Sequence, residues 1–483
     1  MTQQDLEQLL AVNVALTAER DKEKFLSMVL DAAIAAARCD GGTLYLLENG
    51  ALRFARMTTL SLGIRRGGHD GPIALPPVPM EPQYVCAWAA IHRKPVSIPD
   101  VRKAEAYDFS GTEKYDRMTG YRTESMLVIP MTGDKGEMIG VLQLINALDG
   151  ERVVPFSAET GQPVSALASQ AAACIRNMRY AEQVNALLDS LVNAMTAAID
   201  DRASYNANHS GNMALCAECF LDRAGAKDPA WNWTADHRRA FLLSVRLHDV
   251  GKLVTPLDVM NKRDRLGEKL ARIEERFRRM GLLDRIALLE GRITEEQCRN
   301  QAETRRETLD RIRRMNTAEA LSPEEVQWAE ALACRTVPDE NGAGEALLTQ
   351  EEAECLRIRR GTLTPGERQI MENHVKETSR ILDQVCFPPE YRQVPFWAAS
   401  HHEYLDGSGY PDHLTAEQIP AEVRLMTILD IFDSLVASDR PYKKPMAPAG
   451  ALGILKQMEA QGKLDGGLLE LFEESRAWEA VYG

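Results

Sequence analysis

An imidazole and a carboxylate stand side by side in Leu247-His248-Asp249-Val250-Gly251-Lys252, and a pair of imidazoles opens His401-His402-Glu403. Imidazole nitrogen together with carboxylate oxygen suits first-row divalent metals, and one carboxylate beside two ions can bridge them. On a helix, adjacent side chains point about 100° apart, yet both can reach an ion at the edge of that face. A His-Asp dipeptide alone says little; its company decides. His401 and His402 follow the apolar Val394-Pro-Phe-Trp-Ala-Ala, where a buried imidazole is unfavourable unless ligated or bonded. They precede Asp406-Gly-Ser-Gly-Tyr-Pro411, whose glycines permit a tight loop and whose proline stiffens its exit. His209, His374 within Met371-Glu-Asn-His, and Asp430 inside Leu425-Met-Thr-Ile-Leu-Asp-Ile-Phe add donors, and a carboxylate interrupting an apolar helix needs a cation. Taken singly, each of these residues also reads as a hydrogen-bonded core or surface side chain.

These donors are far apart in sequence, so a fold must gather them. The chain has 483 residues, 45% hydrophobic and 27% charged, which at roughly 150 residues per domain predicts about three domains with buried cores. No run of about 18 apolar residues occurs and Met1 to Leu10 is polar and acidic, so neither a membrane span nor a signal peptide is expected, and the expected location is the cytoplasm. Nine scattered cysteines fit a reducing compartment, and the Cys216/Cys219 pair reads as packing rather than zinc or redox chemistry. A formal net charge of -14 argues against DNA, RNA or an anionic membrane as partner. Any anionic ligand must then be held locally, by metal ions or a few cationic side chains.

Residues up to about 180 read as an α/β unit: a helix from about Leu6 to Ala37, then strand-like Gly42-Thr-Leu-Tyr-Leu-Leu, Pro95-Val-Ser-Ile-Pro, Ser125-Met-Leu-Val-Ile-Pro and Met138-Ile-Gly-Val-Leu-Gln-Leu-Ile-Asn. Thr132-Gly-Asp-Lys-Gly-Glu is a hairpin turn between the last two. The order predicts a central antiparallel sheet with helices on one face. From about Ala158 a long helix runs towards Asp200, and its Val164, Leu167, Ala171, Cys174, Met178, Val184, Leu187 and Leu191 recur mostly at three- and four-residue steps, the pattern of a buried stripe. That helix reads equally as a dimerising connector and as an ordinary amphipathic helix of its own domain. Beyond residue 200 the chain reads as almost wholly helical. Residues 264–361 stand apart, without histidine and crowded with Arg and Glu; Leu266, Leu270, Ile273, Phe277 and Met280, then Leu309, Ile312 and Met315, predict a protruding helical hairpin or coiled coil. Such an arm is either a solvated insert or a partner-binding surface.

Phe241-Leu-Leu-Ser-Val-Arg-Leu-His-Asp-Val-Gly-Lys, His401-His-Glu-Tyr-Leu-Asp-Gly-Ser-Gly-Tyr-Pro, and Asp430-Ile-Phe-Asp-Ser-Leu through Asp439-Arg-Pro-Tyr-Lys together resemble the HD-GYP phosphodiesterases, a subgroup of the HD superfamily. The resemblance covers about 190–263 and 361–450, leaving 264–361 as an insertion and 451–483 as a helical extension. It implies an all-α domain that hydrolyses cyclic dinucleotides, typically cyclic di-GMP, to pGpG and possibly on to GMP; a cyclic GMP-AMP dinucleotide is the nearest variant. It also implies that His209, His248, Asp249 and Asp430 hold one metal and that Asp249 bridges to a second held by His374, His401 and His402. Iron or manganese is the expected metal, in a binuclear centre. Two ions lower the pKa of a water towards neutrality and clamp the phosphodiester oxygens during in-line displacement. Lys252 then meets the phosphoryl oxygens or the leaving group, Arg440 and Lys443 contact phosphate, and Tyr410 shapes the lip of the site, on a loop that the family also uses toward GGDEF-type diguanylate cyclases. A third metal is not expected, because Tyr205 and Asn206 stand where some relatives carry a carboxylate, and Asp200 and Asp201 serve only if the helix bends. His237 and His413 match no ligand position and read as surface residues.

Residues 5–180 resemble GAF sensor domains through Gly41-Gly-Thr-Leu-Tyr-Leu-Leu, Val85-Cys-Ala-Trp-Ala-Ala-Ile-His, Met126-Leu-Val-Ile-Pro-Met and Ile139-Gly-Val-Leu-Gln-Leu-Ile-Asn146. The Asn-Lys and Phe-Asp-Glu signature of cyclic-nucleotide-binding members is broken at Ala147 and at Phe156 to Thr160, which argues against cyclic GMP as effector. The expectation is a multidomain, dimeric signalling enzyme: a GAF-like α+β domain over 1–180, a connecting helix over 158–200, and an HD-GYP domain over 190–450 interrupted at 264–361. A catalytically silent dinucleotide-binding or scaffolding module is the alternative.

Overall fold

The structure, a computed structural model, describes residue 19 and residues 21–202, 208–339, 343–437 and 445–483. The chain divides into two compact units, Met1–Leu188 and Asp189–Gly483.

In the first unit, helix α1 (Lys22–Ala37) begins where the Asp21 carboxylate accepts from Lys24 N at 2.9 Å, a side-chain cap on an otherwise unpaired donor. The part of the expected Leu6 to Ala37 helix before residue 19 lies outside the described residues. The sheet contains β1 (Cys39–Glu48), β2 (Ala51–Thr59), β3 (Ile64–Arg66), β4 (Val78–Pro79), β5 (Val96–Ile98), β6 (Met126–Thr132), β7 (Met138–Asp149) and β8 (Arg152–Val154). Its order is β3-β2-β1-β7-β6-β5, antiparallel throughout, with β4 on β2 and β8 on β7. Leu44, Leu46, Leu142 and Leu144 pack against α1 and the start of the long helix α4 (Ala158–Arg202). Tyr45, Val128, Val141 and Ile145 pack against α2 (Val85–His92), which α3 (Ser110–Thr119) follows in the chain. Helices therefore cover both faces of the sheet, not one. The reason is legible in β1, whose unbroken Leu44-Tyr45-Leu46 run suits a strand buried on both sides. Along α4, Val164, Leu167 and Ala171 are buried in the core, whereas Val184, Leu187 and Leu191 are 64%, 71% and 56% exposed in the single chain.

The second unit is mostly helical. Its helices α5 (His209–Gly225), α6 (Ala235–Leu247), α7 (Leu257–Met260), α12 (Pro365–Glu372), α13 (His374–Leu382), α14 (Val394–Ala399) and α15 (Ala421–Val436) surround the histidines, and α16 (Pro448–Ala460), α17 (Gly466–Ser475) and α18 (Glu479–Tyr482) follow. Within 264–361, α8 (Lys269–Leu289), α9 (Glu295–Thr317), α10 (Pro323–Ala333) and α11 (Gln350–Leu356) close around Ile273, Phe277, Ile312, Met315 and Leu332. This segment has its own core and a small hairpin of β9 (Thr336–Pro338) and β10 (Gly344–Ala346), so it is more than a helical hairpin and the region is not all helix. Arg265, 1% exposed, pins it by donating to the carbonyls of Met315 and Ile358 at 2.9 and 2.8 Å.

Candidate metal centre

Five separate stretches deliver the donors, and local contacts fix them. His209 opens α5. His248 caps the C-terminal end of α6 and Asp249 leads into the tight turn Val250–Val254, so the pair sits at a helix end rather than within a helix. That turn passes close to α13: a Cβ on Gly251 would lie 1.9 Å from the His374 carbonyl oxygen, so only glycine fits. The Thr378 hydroxyl ties the two together, accepting from Gly251 N at 3.0 Å and donating to the His248 carbonyl at 2.9 Å. His401 and His402 follow α14, and Thr427 of α15 donates to the His401 carbonyl at 2.8 Å, placing Asp430 of the same helix against them. The buried Glu403 accepts from Asp412 N and Leu414 N at 2.7 and 3.0 Å and so closes the loop carrying Tyr410. Gly409 is obligatory there, because a Cβ would meet Tyr404 N at 2.4 Å and Glu403 Cα at 2.5 Å.

The imidazoles share one orientation. His248, His374 and His401 each direct Nδ1 to the carbonyl three residues earlier, those of Val245, Met371 and Ala398, at 2.7, 2.6 and 2.7 Å. The proton is thereby held on Nδ1, and Nε2 turns its lone pair inward, the usual arrangement of a ligating histidine. His209 makes the equivalent contact to a carboxylate, Nδ1 to Asp433 Oδ2 at 2.6 Å. Asp433 is a participant that sequence reasoning missed, although it stands one helical turn after Asp430.

Donor atoms then converge in three overlapping groups, His209/His248/Asp430, His248/Asp249/His401 and His374/His401/His402, with every atom of a group within 4.8 Å of the others. His209 Nε2 is 3.2 Å from Asp430 Oδ1, and His374 Nε2 is 3.4 Å from Asp249 Oδ1. The latter contact joins two acceptors. Among the described residues Asp249 Oδ1, His374 Nε2 and His401 Nε2 are buried and find no hydrogen-bond partner, an arrangement that ordinary packing avoids and that a cation would satisfy. The set of residues thus fits divalent metal by number, type and unmet need.

Electrostatics agree. Burial pushes His374 down to about 3, and takes His401 well below and His402 below the ordinary imidazole value, so all three are neutral at pH 7 and free to ligate. Burial alone would raise Asp249 and Asp430, but the Lys252 ammonium holds Asp249, and the hydrogen bond from His209 holds Asp430, well below the carboxylate range. Asp200, in the last turn of α4, is pushed up to about 6, chiefly by burial, and its Oδ1 has no partner among the described residues. Exposure is graded: the side chains of His248, Asp249, His374 and His401 are sealed, whereas those of His402 and Asp430 are 22% and 13% exposed. The open side therefore lies along His402, Asp430 and Lys252, where the Tyr410 ring sits 4.8 Å from that of His402.

Of the residues singled out in the sequence, His209, His248, Asp249, Lys252, His374, His401, His402, Tyr410 and Asp430 come together, while Arg440 and Lys443 lie outside the described residues, as do Tyr205 and Asn206. His237 belongs to none of these donor groups; its side chain is 39% exposed, 2.6 Å from Glu422 and stacked on Trp397.

Residues 21–175 match the family model of the GAF domain, and residues 348–468 that of the HD domain. The HD match includes His374, His401, His402 and Asp430 and stops short of His209 and His248. The cyclic di-GMP phosphodiesterase response regulator RpfG of Xanthomonas campestris pv. campestris is 37% identical over 20% of this chain and 25% of its own. The 3'3'-cGAMP-specific phosphodiesterase 3 of Vibrio cholerae is 34% identical over 20% of each. The cyclic di-GMP phosphodiesterase of Thermotoga maritima is 40% identical over 18% of this chain and 23% of its own. The chain thus spans a quarter or less of the length of these relatives. It carries a GAF domain followed by an HD domain, and among the described residues no helix is long and apolar enough to cross a membrane.

Proposed function

We propose that this chain is a metal-dependent phosphodiesterase of the HD-GYP type that hydrolyses cyclic di-GMP to pGpG, GMP or both, under control of its GAF domain. The single observation that carries the reading is the set of buried, unpaired donors, Asp249 Oδ1, His374 Nε2 and His401 Nε2, facing one another. His209, His248, Asp249 and Asp430 would hold one ion and Asp249, His374, His401 and His402 a second, with iron or manganese, both of which this mixed nitrogen and oxygen set admits, as the proposed metals. Bound there, the ions would supply Lewis acidity to the phosphodiester and acidify water.

The chain's own residues supply the remainder. Lys252 Nζ lies 2.5 Å from Asp249 Oδ2 on the half-open side, where an ammonium would meet the phosphoryl oxygens as negative charge grows. Tyr410 forms the lip. Arg440 and Lys443 add cations for a dianionic ligand, which a protein of net charge -14 would otherwise repel. Control by the GAF domain has a physical route in α4: its Arg202 donates to the carbonyls of Leu253 and Thr255, the latter at 3.1 Å, and so grips the turn that carries Lys252. An effector of the GAF domain would enter the cavity of about 280 Å³ lined by Tyr45, Phe54, Tyr84 and Tyr115. The exposed Tyr180, Val184, Leu187 and Leu191 of α4, stepping four, three, four, support a homodimer paired along that helix. The cytoplasm, where nine free cysteines would persist, is the proposed location, and the Tyr410 loop is where a GGDEF-type diguanylate cyclase would dock.

A second reading, 3'3'-cGAMP hydrolysis, is favoured by the resemblance to the Vibrio cholerae enzyme. A silent binding module is disfavoured, since it has no use for a full donor set plus Lys252. The test is turnover of cyclic di-GMP by the metal-loaded full chain beside Asp249→Ala and His248→Ala. Loss in both variants supports the proposal, whereas a metal-loaded wild type that binds the dinucleotide without turnover establishes the silent module.

A further inference from the structure

We infer that Tyr482, on the short helix α18, is a positioning residue for the metal centre, fixing the His209 imidazole through Asp433. The inference rests on the metal-centre reading and deepens it. Asp433 is 3% exposed, and among the described residues each of its oxygens has one partner: Oδ2 faces His209 Nδ1 at 2.6 Å, and Oδ1 accepts from the Tyr482 hydroxyl. A carboxylate engaged on both oxygens cannot rotate away from the imidazole it orients. The phenol is held in turn, because Asn212 Nδ2 donates to its oxygen at 3.4 Å. Asn212 lies one turn after His209 on α5, so the contacts form a closed ring: His209, Asp433, Tyr482, Asn212 and back along the helix.

Position in this ring follows from packing. Trp478, 7% exposed, seats α18 against Phe432 and Phe472 with ring centroids 5.5 and 5.1 Å away, and Phe432 is the neighbour of Asp433. Burial and the adjacent Asp433 charge hold the phenol above its ordinary range, so it stays a donor. The consequence is that a segment well beyond the HD match, which ends at residue 468, reaches the outer shell of the ligands. Partners of this kind commonly change metal affinity or activity by about 10–100-fold when removed.

The experiment is a Mn²⁺ titration of the full-length, metal-stripped chain, following free Mn²⁺ by EPR, for wild type, Tyr482→Phe, Asp433→Asn and the double variant, with the melting temperature of each metal-free protein alongside. The expected result is two Mn²⁺ per wild-type chain and, in Tyr482→Phe, about 10-fold or greater weakening at one site with the other unchanged. Because Tyr482 acts through Asp433, adding Tyr482→Phe to Asp433→Asn should weaken binding no further, which a general loss of fold stability would not reproduce. Wild-type affinity in Tyr482→Phe, or losses that add in the double variant, would overturn the inference. A wild type that takes up no Mn²⁺ overturns the metal-centre reading itself, and this inference with it.

Discussion

His209 Nε2 and His248 Nε2 face each other 3.2 Å apart, and only one proton can lie between them. His248 keeps its own proton on Nδ1 for the Val245 carbonyl, so the proton on this side belongs to His209. Although burial works against it, the Asp430 and Asp433 carboxylates raise His209 to about 10, so without metal it is a cation sitting where the first ion would go.

Metal uptake must therefore expel that proton. Below about pH 10 a fall in pH strengthens the competing proton, so the apparent affinity of the His209 site should fall by up to about tenfold per pH unit lost. Isothermal titration with Mn²⁺ at pH 7 and pH 8, each in two buffers of different ionisation enthalpy, reads both the slope and the proton released. Affinity independent of pH and no proton release would contradict the assignment of His209 as a ligand.

Lys252 contacts Asp249 yet completes no donor group. Lys252→Met should leave metal content unchanged while turnover drops by roughly 10²–10³-fold, the scale of losing one transition-state donor. Parallel elemental analysis and product assay would separate this from a ligand role, in which metal would be lost too.

The Tyr410 loop turns on Gly409, whose absent side chain leaves room for backbone atoms that cannot move aside. Gly409→Ala should destabilise the protein by about 3 kcal/mol, the upper range for overpacking. Gly453→Ala, inside α16 with nothing within 4 Å, is the matched control and should stabilise by about 0.5–1 kcal/mol. Equal denaturation midpoints for the two variants would refute the packing argument.

Leu187 and Leu191 are large, apolar and open to solvent on α4. Leu187→Glu with Leu191→Glu should convert the proposed dimer to monomer without loss of metal, as read by light scattering and elemental analysis. A wild type already monomeric at assay concentration would remove the dimer from the account.

Much of this site could be read in sequence because its chemistry is written in local words. His248-Asp249 and His401-His402 are contiguous, and Asp430 announces itself as a charge in an apolar helix. What sequence left out depends on distant contacts. Nothing near Tyr482 signals a partner 49 residues away, and the role of Gly251 appears only when the His374 carbonyl is placed beside it. Asp433 lay within reach, one turn from Asp430, but its partner His209 is 224 residues away in sequence. In the first unit, strand patterning located β6 and β7, yet the number of covered faces turned on reading Leu44-Tyr45-Leu46 as doubly buried. On α4 the apolar period was visible, but it could not tell a stripe that is buried from one that stands open, because both need the same spacing.

The most direct test of the central claim is elemental analysis of anaerobically purified full-length protein, read together with cyclic di-GMP turnover before and after chelation. The account predicts two equivalents of iron or manganese per chain and hydrolysis that disappears on chelation and returns on reloading. Hydrolysis that persists in metal-free protein, or two bound metals with neither cyclic di-GMP nor 3'3'-cGAMP hydrolysed, would contradict it.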